Sequence, residues 1–286
     1  MKVLSDFNDY KLISTSNGYK KEVWNNITLV RPDPTIIWNG NIDEKDVDAK
    51  YTRSNSGGGS WQIMKKIPES WQVKYKDYTF NLKLMGFKHT GLFPEQAYNW
   101  DYIEKVIKDS KRNDVKVLNL FAYTGAASVA ALHAGASVVH VDSSRGMVDW
   151  AKENVKSSHL DDKPIRYLVD DVVKFVKREI RRGNKYDIIL MDPPSFGRGS
   201  SGEVWNIEKD LYNLVELCYQ LLSDKPIMLL INSYTTALSK TVLNNILDLV
   251  IVKKVGGVVT TDDLGIKEEH SNIILPCGNF ARWENK

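Results

Sequence analysis

Short apolar runs alternate with amphipathic stretches of helical length through the second half of this chain, and this alternation constrains the fold more strongly than any other feature. The apolar runs, each bounded by Gly, Asp or Pro, occupy residues 115–122, 137–142, 166–170, 186–191 and 227–231. Between them lie segments with apolar residues three and four positions apart, at 126–134, 145–157, 172–182 and 209–222. Such alternation predicts a doubly wound, mostly parallel α/β sheet. Residues 272–283 are typical of a closing antiparallel strand or hairpin.

The first part of the chain differs from the second in its composition and in the period of its apolar residues. It is rich in Trp, Tyr, Asn, Lys and Gly, and residues 71–75 (WQVKY) and 78–84 (YTFNLKL) alternate with a period of two. This period is typical of half-buried strands. We therefore predict a small β-rich accessory domain, which would bind substrate, over residues 1–88, followed by an α/β domain over residues 89–286.

Composition excludes several protein classes. Of the 286 residues, 42% are hydrophobic, which provides material for a large core, and the formal net charge of +3 permits a nucleic-acid partner without requiring one. Two cysteines, Cys218 and Cys277, are too few for a disulfide framework, and the five histidines show no ligand spacing, so we expect no metal site. No signal-peptide pattern and no long apolar run occurs, so we expect a soluble cytoplasmic protein with no membrane contact.

In doubly wound sheets, ligands bind beyond the carboxyl ends of the strands, so the residues that follow each strand are the candidate site. The first apolar run leads into LNLFAYTGAAS (118–128), in which Gly125 precedes small residues that open a helix. A dinucleotide site would require further glycines, but Phe121 and Tyr123 occupy those positions. This departure argues against a nicotinamide cofactor and favours a ligand without phosphate, with a simple strand–helix turn as the alternative.

Acidic residues follow the next two runs. Asp142 and Ser143 end the second run, where a carboxylate can accept both hydroxyls of a ribose or, alternatively, cap the next helix. Asp170 and Asp171 end the third run, where they could reach an adenine amino group or cap a helix. Together with the glycine turn, these acids describe a nucleoside-binding rim.

The fourth run ends in Asp192-Pro193-Pro194-Ser195-Phe196, the most specific signal in the chain. Two prolines remove two backbone donors, so we predict that the carbonyls here face a ligand rather than a helix. Asp192 supplies a further acceptor, and Phe196 supplies a flat face on which a base could stack. The alternative is a proline-stiffened strand exit with a surface carboxylate.

These motifs resemble those of the class I S-adenosylmethionine-dependent methyltransferases. The resemblance is strongest to the large-subunit ribosomal RNA methyltransferases, and within them to the guanine-N7 half of a bifunctional enzyme, without the PUA domain of some relatives. It implies a seven-stranded, Rossmann-like sheet, S-adenosylmethionine as cofactor and a catalytic Asp-Pro-Pro motif. The segment TGLFPEQAYNW (90–100) also resembles this group, which implies that Gln96 approaches the methionine end of the cofactor. The implied cofactor-binding set is Gln96, Phe121, Ala122, Tyr123, Thr124, Gly125, Asp142, Ser143, Asp170, Asp171 and Asp192.

The methylated atom is inferred partly from the side chains available and partly from the resemblance, which also implies the ribosomal RNA substrate. Carbon 5 of cytosine requires a Cys thiolate, which relatives carry after the fifth strand, where this chain has Ser233. A purine nitrogen fits better, because Asp192 and the Pro193 carbonyl could accept hydrogens of an exocyclic amine, whereas a ring nitrogen needs no base. We therefore expect catalytic roles for Asp192, Pro193, Pro194 and Phe196, and a ribosomal RNA substrate.

Support for RNA elsewhere in the sequence is ambiguous. A basic run at 174–185 could contact phosphates or form a solvated helix face, and the N-terminal aromatics could stack on bases or fill a core. The glycine-rich segment 195–206 is typical of a substrate-gating lid. Three alternatives stay open: a methyltransferase for small molecules or proteins, a nicotinamide-dependent oxidoreductase, and an RNA-binding protein with a vestigial cofactor pocket.

Overall fold

The computed structural model describes residues 1–54, 58–199, 202–234 and 238–286. Contacts divide the chain into two compact units. The first unit comprises Met1–Tyr98 and Leu264–Cys277, and the second comprises Asn99–Asp263 and Gly278–Lys286. The first division falls after Tyr98, and the segment Leu264–Cys277 belongs to the first unit although it lies near the end of the sequence. The predicted domain boundary at residue 88 stays a prediction. Among the described residues, no helix is long and apolar enough to cross a membrane.

The first unit is β-rich, as its period-two sequence predicts. Its strands are β1 (Lys2–Val3), β2 (Tyr10–Ser16), β3 (Tyr19–Trp24), β4 (Ile27–Pro32), β5 (Ala49–Arg53), β6 (Gly59–Ile63), β7 (Trp71–Tyr75) and β8 (Tyr78–Leu82). Strands β2 to β6 form one sheet in chain order, and β7 pairs with β8 in a separate hairpin. The turn from β2 to β3 places Asn17 at φ 48° and Gly18 at φ 80°. An Asn-Gly pair adopts two consecutive left-handed residues easily, which suits a tight hairpin.

Aromatic side chains fill the core of this unit rather than forming an exposed surface. Trp24, Tyr51, Trp71, Tyr75 and Tyr78 are all buried. The two half-buried indoles use their N–H groups within the unit, because Trp38 donates to Thr15 Oγ1 and Trp61 to the carbonyl of Met85. The structure therefore favours the core interpretation of these aromatics over base stacking.

A buried ion pair lies within the same core. Arg31 donates to both carboxylate oxygens of Glu22, at 2.7 and 3.0 Å, and the Tyr10 hydroxyl donates to the same carboxylate at 2.8 Å. Burial alone would raise the pKa of Glu22, but Arg31 and Lys20 outweigh burial and lower it to about 2. Because each partner compensates a buried charge, removal of either one would leave the other unpaired.

The second unit has the expected strand–helix alternation. The elements from residue 97 onward are α1 (Ala97–Asp109), β9 (Lys116–Leu120), α2 (Ala126–His133), β10 (Ser137–Asp142), α3 (Arg145–Ser157), β11 (Ile165–Val169), α4 (Val172–Arg182), β12 (Ile188–Met191), β13 (Phe196–Arg198), β14 (Val204–Asn206), α5 (Ile207–Tyr219), β15 (Met228–Ser233), α6 (Lys240–Leu247), α7 (Lys253–Val255), β16 (Val258–Lys267) and β17 (Ile274–Glu284). A π-helical turn, Asp248–Val252, joins α6 to α7. The division between units falls within β16 and β17, so each of these strands belongs to both.

The strand order confirms a doubly wound sheet. It runs β16-β17-β15-β12-β9-β10-β11, and the two-residue β1 adds an eighth strand beside β16 in the first unit. Strands β15, β12, β9, β10 and β11 are parallel, and β17 runs antiparallel to β15. The chain winds from β9 to β10 and β11 on one side, and to β12 and β15 on the other. The switch point of the sheet therefore lies between the carboxyl ends of β9 and β12.

One large apolar cluster packs against the sheet of the second unit. Helices α4, α5 and α6 contribute to this cluster, for example through Phe175, Leu214 and Leu243, which are almost completely buried. All four residues of β12 are buried, as expected for a central parallel strand. A rigid, fully packed strand thus carries the Asp-Pro-Pro motif at its carboxyl end.

Candidate active site

Four of the sequence-predicted segments meet at the switch point of the sheet in the second unit. The amide of Ala122, after β9, donates to the carbonyl of Val141, and the amide of Asp170, after β11, donates to that of Asp142, both at 3.0 Å. The amide of Asp192 lies 3.4 Å from the carbonyl of Leu120. The residues that follow β9, β10, β11 and β12 are therefore direct neighbours, as the fold requires.

The turn after β9 has an unusual backbone. Phe121, Tyr123 and Gly125 have φ values of 53°, 50° and 84°, so left-handed residues alternate through it. Two of them carry side chains, which makes this conformation costly unless the surroundings impose it. Hydrogen bonds impose it here, because the amides of Ala122 and Tyr123 both donate to the end of β10. Left-handed non-glycine residues of this kind cluster at ligand-binding sites.

Gly125 is required for packing as well as for backbone conformation. A Cβ atom at this position would lie 2.9 Å from the Cβ of Ala151 on α3 and 3.4 Å from the ring of His140. Any larger residue would push α2 away from α3. Thr124, next to it, is buried, and its carbonyl accepts a 2.8 Å hydrogen bond from Asn154 Nδ2 on α3.

Asp142 connects the ends of two segments. One carboxylate oxygen accepts from the amide of Tyr123 at 2.9 Å, and the other accepts from the amide of Ser144 at 2.8 Å. Burial raises the pKa of Asp142, and these two amides oppose the rise. Each oxygen keeps a free lone pair, so the group can still accept two hydroxyls of a sugar. Ser143 lies exposed beside it.

The acids after β11 show a structural role directly. Asp171 is the N-cap of α4, because its Oδ1 accepts from the amide of Lys174 at 2.8 Å. Asp170 forms an ion pair with Arg178. One carboxylate oxygen of Asp171 is thus used to cap the helix. A contact of Asp170 or Asp171 with an adenine stays a prediction.

The Asp-Pro-Pro segment leaves β12 with its side chains in different environments. Asp192 is half-buried and Pro193 is buried, whereas Pro194 and Phe196 are exposed, Phe196 by 55% of its surface. The sequence predicted carbonyls free to face a ligand, and at Pro194 this is wrong. Its carbonyl accepts a 2.7 Å hydrogen bond from the indole of Trp205. Ser195 also uses its carbonyl internally, for the amide of Ile207 at 3.1 Å.

The segment 195–206 is more ordered than its glycines suggest. It forms a hairpin in which β13 pairs antiparallel with β14, while residues 200–201 lie outside the described residues. The ring of Trp205 packs 5.1 Å from that of Phe121, so the hairpin contacts the turn after β9. A role as a lid stays a prediction.

Sequence reasoning missed the polar network beneath this site. Ser128 Oγ lies 3.0 Å from His140 Nδ1 and accepts from Asn119 Nδ2 at 2.9 Å, and all three residues are buried. Burial lowers the pKa of His140 to about 3, so the ring is neutral at physiological pH. A histidine inside the apolar run SVVHVD was the available signal. Nothing in the sequence pointed to Asn154 or Trp205.

The sequence also singled out Gln96, Cys218, Cys277 and Ser233. Gln96 belongs to the first unit, in a buried 3₁₀ turn over Pro94–Gln96, and its approach to a cofactor stays a prediction. Cys218 is buried in the core of the second unit, where burial raises its pKa, and Cys277 lies in the first unit. Ser233, at the end of β15, is buried.

The basic run on α4 is mostly neutralised within the protein. Lys174, Arg178 and Arg182 form ion pairs with Glu203, Asp170 and Glu179, and Lys185 donates to the carbonyl of Gln220. These contacts favour a solvated helix face over a phosphate-binding surface.

The fold and the switch point are typical of one class of protein, the doubly wound α/β enzymes that bind a nucleoside cofactor beyond the strand ends. The model of the S-adenosylmethionine-dependent methyltransferase family matches residues 38–234, which is more than half of the chain. The chain belongs to this family, and it is an enzyme that uses S-adenosylmethionine.

Similar proteins extend this assignment. The crystal structure of a SAM-dependent methyltransferase from Agrobacterium tumefaciens is 35% identical and superposes with a TM-score of 0.94, covering 100% of this chain and 94% of that one. The ribosomal RNA large subunit methyltransferase K/L of Syntrophotalea carbinolica is 29% identical over 66% of this chain, and that of Shewanella sp. MR-4 is 32% identical over 64%. The chain spans about a quarter of the length of these two relatives, 26% and 25% respectively.

The residues at the switch point fit the cofactor chemically. Asp142 retains acceptor capacity for a ribose diol, and the turn at Phe121–Gly125 is held open by its own hydrogen bonds. The turn lacks the multiple glycines that bring a backbone against a pyrophosphate. S-adenosylmethionine has a ribose and no phosphate, so both features suit it.

Proposed function

We propose that this enzyme methylates a purine nitrogen of ribosomal RNA in the cytoplasm, and that the first unit contributes to substrate binding. The observation that carries the proposal is the exposed aromatic ring of Phe196 four residues after the half-buried carboxylate of Asp192, at the end of the central strand β12. A flat exposed ring beside polar acceptors suits a base removed from its stack. The names of the ribosomal RNA methyltransferases to which the chain is similar support an RNA substrate.

In this proposal the residues after β9, β10 and β11 bind the cofactor. Asp142 accepts the ribose hydroxyls, Ser143 lies beside the sugar, and Asp170 and Asp171 border the adenine. The remaining proposed contacts are Gln96, Phe121, Ala122, Tyr123, Thr124, Gly125 and Asp192. When bound, S-adenosylmethionine supplies a methyl group activated by a sulfonium.

The chain itself then has to position a nucleophile. The carboxylate of Asp192 and the carbonyl of Pro193 can accept the hydrogens of an exocyclic amine and orient its lone pair. Pro194 holds the strand exit in place through its bond to Trp205, and Phe196 stacks on the base. A ring nitrogen would need only the orientation that these groups provide.

The available thiols do not support carbon methylation. That reaction requires a thiolate that adds to the pyrimidine ring, but Cys218 is fully buried and Ser233 occupies the end of β15. Burial raises the pKa of the Cys277 thiol, which disfavours a thiolate there as well. A nitrogen target therefore agrees better with the side chains around the switch point.

The test is transfer of tritiated methyl groups into total RNA from a deletion strain, followed by nucleoside analysis. We expect label in a purine of ribosomal RNA, and we expect Asp192→Ala to lower the rate at least about 100-fold while it leaves the thermal unfolding temperature nearly unchanged. Asp149→Ala is the matched control, because Asp149 is exposed on α3, where it forms an ion pair with Lys152 on the same helix. Label found only in protein or small metabolites, or an Asp192→Ala enzyme with the wild-type rate, would contradict the proposal.

A further inference from the structure

The hairpin that follows the Asp-Pro-Pro motif has two distinct faces. In its register, Phe196 pairs with Asn206, Gly197 with Trp205 and Arg198 with Val204. Side chains of paired residues lie on the same face of an antiparallel ladder, and successive pairs alternate. The inner face therefore carries Gly197 and Trp205, and the outer face carries Phe196, Arg198, Val204 and Asn206.

Burial follows this division. Trp205 on the inner face is only 9% exposed, whereas Phe196 and Val204 on the outer face are 55% and 61% exposed. Arg198 is also exposed. Large apolar side chains adjacent to one another on a surface are typical of binding sites rather than of ordinary solvent-facing strands.

The hairpin is held by contacts at its base and near its turn. The Trp205 indole donates to the Pro194 carbonyl at 2.7 Å and packs on Phe121. The amide of Asn206 donates to Asp210 Oδ2 at 2.7 Å, and Glu203 forms an ion pair with Lys174 on α4. These contacts hold the outer face in a defined position next to the proposed catalytic residues.

The outer face combines an aromatic ring with an unneutralised cation. Among the described residues, the side chain of Arg198 has no hydrogen bond or ion pair, in contrast to the paired arginines Arg178 and Arg182 on α4. Phe196 and Arg198 are two residues apart in one strand, so their Cα atoms are separated by roughly 7 Å. A ring that stacks on a base and a cation that meets its phosphate are the two components of single-strand recognition.

We infer that the outer face of the β13–β14 hairpin binds an unpaired segment of the RNA substrate, with Phe196 and Val204 against bases and Arg198 against a backbone phosphate. The inference rests on the proposed function and extends it from the target base to the adjoining strand. An unpaired strand is required, because a base inside a duplex cannot offer its face to Phe196. Arg198 would thus determine affinity for RNA without contacting the cofactor.

The test measures binding of the full chain to a fluorescein-labelled, unpaired 12-nucleotide RNA by anisotropy over a series of salt concentrations. We expect Arg198→Gln to weaken binding about fivefold at 0.1 M salt and to reduce the slope of log K against log salt by about 0.7, the value for one phosphate contact on a single strand. Arg198→Lys should keep the wild-type slope. Calorimetry should show an unchanged affinity of Arg198→Gln for S-adenosylmethionine.

Arg181→Gln is the matched control. Arg181 is exposed on α4, about 10 Å along the helix from Lys174, and its replacement removes the same charge outside the hairpin. We expect this variant to bind the RNA like the wild type. Equal losses in both variants, or a wild-type slope in Arg198→Gln, would overturn the inference.

Failure of the inference and failure of the proposed function give different results. A wild-type enzyme that methylates ribosomal RNA, together with an Arg198→Gln variant of unchanged RNA affinity, would reject only the hairpin surface. A wild-type enzyme that binds S-adenosylmethionine but neither binds nor methylates RNA would reject both. An RNA affinity that falls in Arg198→Gln and not in Arg181→Gln would support both.

Discussion

Asp142 shows how one side chain can organise the backbone of a proposed cofactor site. Its two oxygens accept amides from opposite sides, Tyr123 after β9 and Ser144 before α3. The carboxylate thereby fixes the left-handed backbone of Tyr123 and the start of α3 together. Burial raises the pKa of Asp142, and the hydrogen bonds from these two amides oppose the rise because they favour the charged carboxylate.

We expect Asp142→Asn to weaken S-adenosylmethionine binding about 10- to 100-fold and to lower the free energy of unfolding by about 1 kcal/mol. An amide has one acceptor oxygen, so one of the two backbone N–H groups loses its partner, and the loss of one partly exposed hydrogen bond costs about this much. Calorimetry and thermal unfolding measure the two effects. Asp149→Asn, on the exposed side of α3, should change neither, and an unchanged affinity in Asp142→Asn would reject the ribose assignment.

At the level of elements, α4 begins at a residue with two candidate roles. Asp171 caps the helix through the amide of Lys174, and it is also the proposed neighbour of the adenine. A serine can replace the first role but not the second, because its hydroxyl accepts an amide and carries no charge. Two substitutions at one position can therefore separate helix capping from cofactor binding.

We expect Asp171→Ala to lower the free energy of unfolding by about 1 kcal/mol, and Asp171→Ser to stay close to the wild type. Affinity for S-adenosylmethionine should fall in both variants if the carboxylate contacts the adenine. Urea unfolding gives the first quantity and calorimetry the second. Loss of affinity only in Asp171→Ala would mean that the cap, and not a direct contact, determines cofactor binding.

The elements that the sequence predicted well are those with a single dominant period. The bounds of β10 (Ser137–Asp142) and α3 (Arg145–Ser157) agree with the predicted 137–142 and 145–157. The sequence changes there from a short apolar run to apolar residues three and four positions apart, so the end of the strand and the start of the helix are easy to locate. The hairpin was instead expected to be a loop, since Gly197, Gly199 and Gly202 obscure its period. The pairing that forms it depends on Trp205, whose partners Pro194 and Phe121 lie outside the hairpin.

The same distinction applies to the site as a whole. Gly125, Asp142 and Asp192 were predictable, because the end of each strand in a parallel sheet is fixed once the strands are found. The contact of Asn154 with Thr124 joins residues 30 positions apart, and no local pattern encodes it. In the first unit, the sequence left open whether the aromatic side chains fill the core or stack on RNA bases. The structure shows that most of them are buried.

At the scale of the whole molecule, one buried acid links stability to pH. Glu95 in the first unit is only 7% exposed. Burial raises its pKa from the ordinary 4.5 to about 7, with Lys20 opposing the rise at longer range. The folded state therefore holds a proton that the unfolded chain releases near pH 4.5, and folding becomes less favourable as the carboxyl is forced to ionise.

We expect wild-type stability to decrease relative to Glu95→Gln as the pH rises. The proton on Glu95 contributes fully below pH 4.5, and its contribution is lost as the pH rises through about 7, so the difference should change by up to about 3 kcal/mol and then level off. Other titrating groups are common to both proteins and cancel in the difference. Urea unfolding at pH 5 and pH 8 measures it, with the exposed Glu69→Gln as control. A difference that is equal at both pH values would show that the pKa of Glu95 in the folded protein is close to its value in the unfolded chain.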